Sequence, residues 1–184
     1  MVHLGWDRIN IYRKKYLLKR SGLNRDEIMK ENEIYYAYEM VYDKAEVPES
    51  DIECISFDRS YIKDYMASYN EAFYPMRKAL DIKPFNWYTE ESAVLEKAAD
   101  TYMLIHGGKL IGAVACYGNE IDDLFVKASE QGRGYGRELL LWGMNHIRER
   151  NEGPITLHVA EWNQGALRLY QSIGFVVKNK ERIK

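Results

Sequence analysis

The chain has 184 residues, 46% of them apolar, and a formal net charge of −2, which suits one compact domain with a single sizeable core. That charge argues against an overall electrostatic design for nucleic acid or an anionic membrane, since each needs a basic excess on a large face. Cys54 and Cys116 stand in apolar surroundings, without Cys or His at metal-ligand spacing. They read as buried hydrophobes in a reducing compartment, with no metal site. Met1 to Tyr16 lacks an apolar h-region, and the longest apolar run, Leu110 to Tyr117, falls far below the ~18 residues that span a bilayer, so a soluble cytoplasmic protein is expected.

In chain order, Arg8 to Arg20 is basic and Asp26 to Glu53 is acidic, so the two segments can pair. Ile9–Leu18 has weak strand character, Arg25–Glu31 reads as a short helix, and the aromatic stretch Ile34–Tyr42 is β-prone. Residues 1–50 are thus expected as an extension packed on the main domain, with the boundary near Pro48, and 51–184 as the main domain. Ile52–Phe57 reads as a strand. Ile62, Tyr65, Met66, Tyr69, Ala72, Phe73 and Met76 then recur at helical spacing, with Pro75 expected to end or kink the helix. Thr89 is a candidate N-cap for a helix over Glu90–Ala99.

Thr101–His106, Gly107-Gly108 and Lys109–Cys116 have the pattern of a β-hairpin. Ile121–Val126 follows as a strand, Tyr135–Arg150 as an amphipathic helix stopped by Asn151 and Gly153-Pro154, and Ile155–Val159 as another strand. Gln164–Ile173 is a helix ending at Gly174, and Phe175–Val177 opens a last strand. Antiparallel hairpins followed by a β-α-β unit predict a mixed α/β (α+β) fold.

The segment Gln131-Gly132-Arg133-Gly134-Tyr135-Gly136-Arg137 joins a strand to a helix. A helix start leaves N–H groups without intrahelical partners and carries partial positive charge, so it attracts anions. The three glycines clear side chains from those donors, and Arg133 and Arg137 add charge at the rim. A pyrophosphate fits such a loop. The spacing is neither that of a Walker loop nor that of a dinucleotide-binding turn, and glycine spacing alone also describes a plain strand-to-helix turn.

Gln131-x-x-Gly134-x-Gly136 resembles the Gln/Arg-x-x-Gly-x-Gly/Ala motif of the GNAT superfamily of acyl-CoA-dependent N-acetyltransferases. Asn163, Ala166, Leu169, Tyr170, Gly174 and Phe175 match that family's second segment, and the likeness covers roughly residues 51–178. The resemblance implies a central mixed, mostly antiparallel sheet flanked by helices and splayed between its fourth and fifth core strands. It also implies acetyl-CoA as cosubstrate and CoA as product. The backbone of Leu124, Phe125 and Val126 would hold the pantetheine arm, and the amides of Gln131 to Arg137 the pyrophosphate. Asn163 would contact the pantetheine or the helix start, a backbone N–H near Val126 would serve the oxyanion, and Tyr170 would protonate the departing thiolate.

For the base that deprotonates the amine, Glu120 is the first candidate and Asp122 the second. A water chain is the alternative, and His158 a candidate relay. Glu120, Asp122 and Leu124 would share one side of their strand, with Asp123 on the other. Tyr61, Tyr65, Tyr69, Phe73 and Trp87 line an acceptor pocket or else form core, and Arg77 and Lys78 bind an acceptor carboxylate or else are solvated.

The family normally adds one more strand than Phe175 to Lys184 can supply. Either it is absent, or Ile34–Tyr42 replaces it, or a partner chain provides it in a homodimer; the second is favoured. The expected activity is acetyl transfer to a small-molecule amine. A peptide amine acceptor and a non-catalytic acyl-CoA-binding module are the alternatives.

Overall fold

A computed structural model describes residues 35–183, so the expectations for Ile9–Leu18 and Arg25–Glu31 lie outside the described residues. Seven strands are formed there: β1 (Tyr36–Tyr42), β2 (Ile55–Ser56), β3 (Thr101–His106), β4 (Lys109–Tyr117), β5 (Glu120–Val126), β6 (Ile155–Ala160) and β7 (Val176–Arg182). The α-helices are α1 (Ile62–Ala79), α2 (Glu91–Leu95), α3 (Tyr135–Arg148) and α4 (Gln164–Ile173). All strands join one sheet in the order β2-β3-β4-β5-β6-β1-β7.

Neighbours are antiparallel except β5 and β6, which run parallel because α3 crosses between them. That parallel pairing holds only at Glu120↔Thr156 and Ile121↔Leu157, and beyond it the two strands splay. The mixed, mostly antiparallel sheet and its opening between the fourth and fifth core strands (counted from β2) therefore match expectation.

The apolar stripes of α3 and α4 pack into one core, with Leu139, Leu140, Leu141, Met144, Ile173 and Phe175 against Val114, Ile121 and Leu157. Those of α1 and α2 enter a second core, where Tyr65 and Tyr69 meet Met103, Leu110 and Phe125. Close approach of α3 to the sheet needs Gly143, where an added Cβ would lie 2.9 Å from Ile121 Cδ1.

Several boundaries differ from the sequence reading. α1 does not end at Pro75 but continues to Ala79. Pro75 and Glu71, whose carbonyl loses its helical donor, are both exposed, so water can replace that bond while the buried face holds the helix together. The helix expected over Glu90–Ala99 shrinks to Glu91–Leu95 plus a 3-10 turn at Ala98–Asp100, and Thr89 does not cap it. Only Ile55–Ser56 pairs within Ile52–Phe57, since an edge strand has one neighbour.

The strand before Pro48 is interior. β1 pairs with β6 from Ala37↔Ala160 to Tyr42↔Ile155 and with β7 from Tyr36↔Arg182 to Val41↔Val176, and Met40 is 0% exposed. Residues on both sides of Pro48 thus build one sheet, with β1 lying between β6 and β7. The link from β1 to β2 is strapped to α3: Asn145 Nδ2 donates to Pro48 O (2.9 Å), and Asp51 N–H to the Glu138 carboxylate (2.8 Å).

Candidate active site

At the start of α3 the first intrahelical donors are the N–H groups of Arg137 and Glu138, both to Gly134 O (2.9 and 3.2 Å). The amides of residues 132–136 precede them and have no helical carbonyl to meet. Gly132 and Gly134 hold φ of 78° and 88°, and a Cβ on either would enter open space, so glycine here serves the backbone turn. Gln131 folds its side chain back, Nε2 donating to Val126 O at 3.1 Å, which ties the loop to the end of β5. Arg133 pairs with Glu130 (3.0 Å) and Arg137 with Glu138 (3.1 Å), both guanidinium groups at the exposed rim.

This loop closes one end of a cavity of about 620 Å³ that enters the splay between β5 and β6 and reaches α1 and α2. Leu124, Phe125, Val126, Gln131, Gly132, Gly134, Tyr135 and Gly136 line it from one side, Val159, Ala160, Asn163 and Tyr170 from the other. Because Lys127 N–H bonds Ile111 O (2.9 Å), ladder alternation turns the amide of Val126 away from β4 and toward the splay.

β5 does not alternate regularly. Between the pairs Ala113↔Phe125 and Ala115↔Asp122, two residues of β5 face one of β4, and Asp123 takes φ of 47°. This bulge overturns the expected separation of the two acids: Asp122 and Asp123 both line the cavity. Asp123, 8% exposed, accepts from Tyr69 OH and from Lys97 Nζ, each at 2.8 Å, and its own N–H donates to Asp122 Oδ1 at 2.8 Å. Burial and the adjacent Asp123 charge push the Asp122 carboxyl up to about 7, against the pull of Lys97.

Glu120 does not line the cavity. It pairs with His158 (Oε1 to Nδ1, 2.8 Å), and His158 is the member of that pair that reaches the cavity. Tyr170, 8% exposed, lines the cavity, and burial, then the Asp122 charge, pushes its phenol up to about 12. Asn163 caps α4, its Oδ1 accepting from Ala166 N–H at 3.1 Å, and it also faces the cavity.

Of the aromatic set, Tyr69, Phe73 and Trp87 line the cavity, whereas Tyr65 is core and Tyr61 lies outside it, its hydroxyl donating to Gly108 O (3.4 Å). Arg77 lines it too, stacked on Trp87 at 4.8 Å; Lys78 does not, and lies over Tyr74 at 5.6 Å. Sequence reasoning missed Lys97, Met76 as a lining residue, Trp162 and Ile82. Lys97 carries no local signal, since its partner Asp123 is 26 positions away and accessible to it only through the bulge. Burial pushes both Cys54 and Cys116 up to about 12, in keeping with inert thiols. Among the described residues no cluster of three or more His, Cys, Asp or Glu could hold a metal ion, and no helix is long and apolar enough to cross a membrane.

Comparison with known proteins supplies the family. A mycothiol acetyltransferase of Streptosporangium roseum is 41% identical over 70 residues, 38% of this chain and 19% of that protein. An uncharacterised N-acetyltransferase of Methanocaldococcus jannaschii is 26% identical over 144 residues, 68% of this chain and 62% of that one. The match thus spans about a fifth of the mycothiol enzyme's length. Among solved structures, an acetyltransferase assigned to the GNAT family from Novosphingobium aromaticivorans superposes with a TM-score of 0.61 at 18% identity, covering 82% of this chain and 63% of its own, a likeness of fold. The profile of the acetyltransferase (GNAT) family matches residues 57–175, from before α1 to the end of α4, and the chain therefore belongs to the GNAT family of acetyltransferases.

Proposed function

We propose that this GNAT acetyltransferase moves the acetyl group of acetyl-CoA to the primary amine of a small molecule, by direct attack in a ternary complex. The observation that carries this reading is one continuous cavity joining the glycine loop, the splay between β5 and β6, the Asp122–Asp123 pair and the aromatic wall of α1. The residues present fit the cosubstrate: the amides of residues 132–136, which meet no helical carbonyl, can receive a pyrophosphate, and the open edges of β5 and β6 can take an extended pantetheine arm as an added strand.

In this reading Asp122, rather than Glu120, removes the proton from the acceptor ammonium. A carboxyl held at about 7 in the cavity suits a base near neutral pH, whereas Glu120 is engaged by His158 and outside the cavity. The Glu120–His158 pair serves as the relay that passes protons outward. As nitrogen attacks the thioester carbonyl, the Val126 amide donates to the developing oxyanion. As the C–S bond breaks, Tyr170 gives its proton to the departing sulfur, and the nitrogen loses its second proton, which restores the phenol; the raised phenol makes Tyr170 a weak acid, so the transfer needs a poorly solvated thiolate.

A small acceptor is supported by the aromatic enclosure of Tyr69, Phe73 and Trp87, and by the small-molecule character of the acceptor named in the mycothiol enzymes. The test is acetyl-CoA with a panel of metabolite and peptide amines, read by release of the CoA thiol and by the mass of the product. Amine-dependent release with small amines is expected. Preference for peptide amines would favour a protein acceptor, and saturable binding without release on any amine would sink the catalytic reading.

A further inference from the structure

Two basic side chains line the acceptor half of the cavity, and they differ in what they meet. Lys97 is spent on Asp123, at 2.8 Å. Arg77 forms no ion pair with any described acid; it stacks on Trp87 and uses only Nε, which donates to Pro84 O at 2.7 Å. A guanidinium has five N–H donors, so its two terminal nitrogens are left to the cavity. Burial pulls this group below its ordinary value against the opposing charges of Tyr69 and Asp123, and a partly desolvated cation held in no ion pair is costly. No neighbouring acid is in ion-pair contact with it: Asp123 acts on Arg77 through its charge but is bonded to Lys97 and Tyr69, Asp81 pairs with Lys83, and Glu96 is an exposed lining residue.

Its place along α1 shows what anion it can serve. Asp64 pairs with Lys127 (2.7 Å) beside the glycine loop, and Tyr69 reaches Asp123 (2.8 Å) at mid-cavity. Arg77 lies thirteen residues beyond Asp64, roughly 20 Å along the helix axis at 1.5 Å per residue, and about 12 Å beyond Tyr69. The cosubstrate phosphates belong at the loop end, so the anion at Arg77 comes from the acceptor.

We propose that the acceptor is a primary amine that also carries a carboxylate, its ammonium drawn to Asp122 and Asp123 and its carboxylate received by the Arg77 guanidinium across the wall of Tyr69, Phe73 and Trp87. This rests on the acetyl-transfer reading above. A planar fork pairs bidentately with a carboxylate, and amine and carboxylate must be separated by a spacer of several bonds to reach both ends.

The full chain is assayed with acetyl-CoA against ω-aminohexanoate and para-aminomethylbenzoate, each beside its methyl ester. The free acids are expected to exceed their esters at least tenfold in kcat/KM. Arg77→Gln should erase that preference by raising KM for the acids at least tenfold more than for the esters, with the acetyl-CoA Kd unchanged. Arg77→Lys, which keeps charge but not the fork, should retain part of it, and an unchanged Tm in both variants separates recognition from folding. Equal rates on acid and ester in the unaltered protein, or an equal loss on both in Arg77→Gln, overturns the carboxylate subsite alone. No acetylation of any amine overturns the acetyl-transfer reading and the subsite with it.

Discussion

Asp122 and Asp123 are adjacent in sequence and opposite in circumstance. Asp123 is bonded by Tyr69 and Lys97, whereas burial, and then the adjacent Asp123 charge, raises Asp122 to about 7. If Asp122 is the base, its ionised form is the active one, and kcat/KM should climb as pH rises through about 7. Asp122→Asn should lose that limb and lower kcat on the order of 10²-fold, the usual scale of a general base. A pH–rate profile in which Asp122→Asn keeps the same limb would transfer the role to another group. Tyr170→Phe is expected to lower kcat by a comparable factor with little change in KM for acetyl-CoA, measured at saturating amine. An unchanged rate would leave Tyr170 as a packing residue against Phe175, 6.1 Å away between ring centroids.

At the level of elements, the start of α3 and the whole of α4 were readable because their signals are local. Gly134 opens α3 in the left-handed region, and Asn163 and Gly174 bracket α4 as N-cap and C-cap. Gly134→Asp puts strain and a carboxylate where phosphate oxygens belong; Kd for CoA should weaken by tenfold or more in calorimetry, and retention of full affinity would remove the loop from the cosubstrate site. The end of α1 was not readable in the same way. Pro75 is a breaker by local rules, but α1 is held by the packing of Tyr65 and Tyr69 on the sheet, and the proline sits on its exposed side. Likewise the bulge in β5 was not readable: the adjacent Asp122 and Asp123 interrupt the alternation of Glu-Ile-Asp-Asp-Leu-Phe-Val, but such an interruption does not by itself say which residue the partner strand leaves unpaired.

For the molecule as a whole, β1 closes the sheet between β6 and β7, and Tyr38 OH donates to Glu161 at 2.6 Å to fix its end next to the turn before α4. A strand from before Pro48 thereby braces the same side of the splay that presents Asn163 and Tyr170. Met40→Ala, at a fully buried position of β1, should cost about 2–5 kcal/mol in urea denaturation. A loss below about 0.5 kcal/mol would show that β1 contributes little to the folded state. The sequence by itself determined the family and the order of elements from β3 to α4, because loop glycines, helix caps and hydrophobic periods are written within a few residues of the structures they cause. Tertiary structure alone decided that β1 is interior, that the bulge turns Asp123 into the cavity beside Asp122 and Lys97, and that Arg77 rather than Lys78 lines the cavity. Those outcomes depend on register and on contacts between residues far apart in the chain, where many pairings are compatible with the same local pattern and only the packing of the whole sheet selects one.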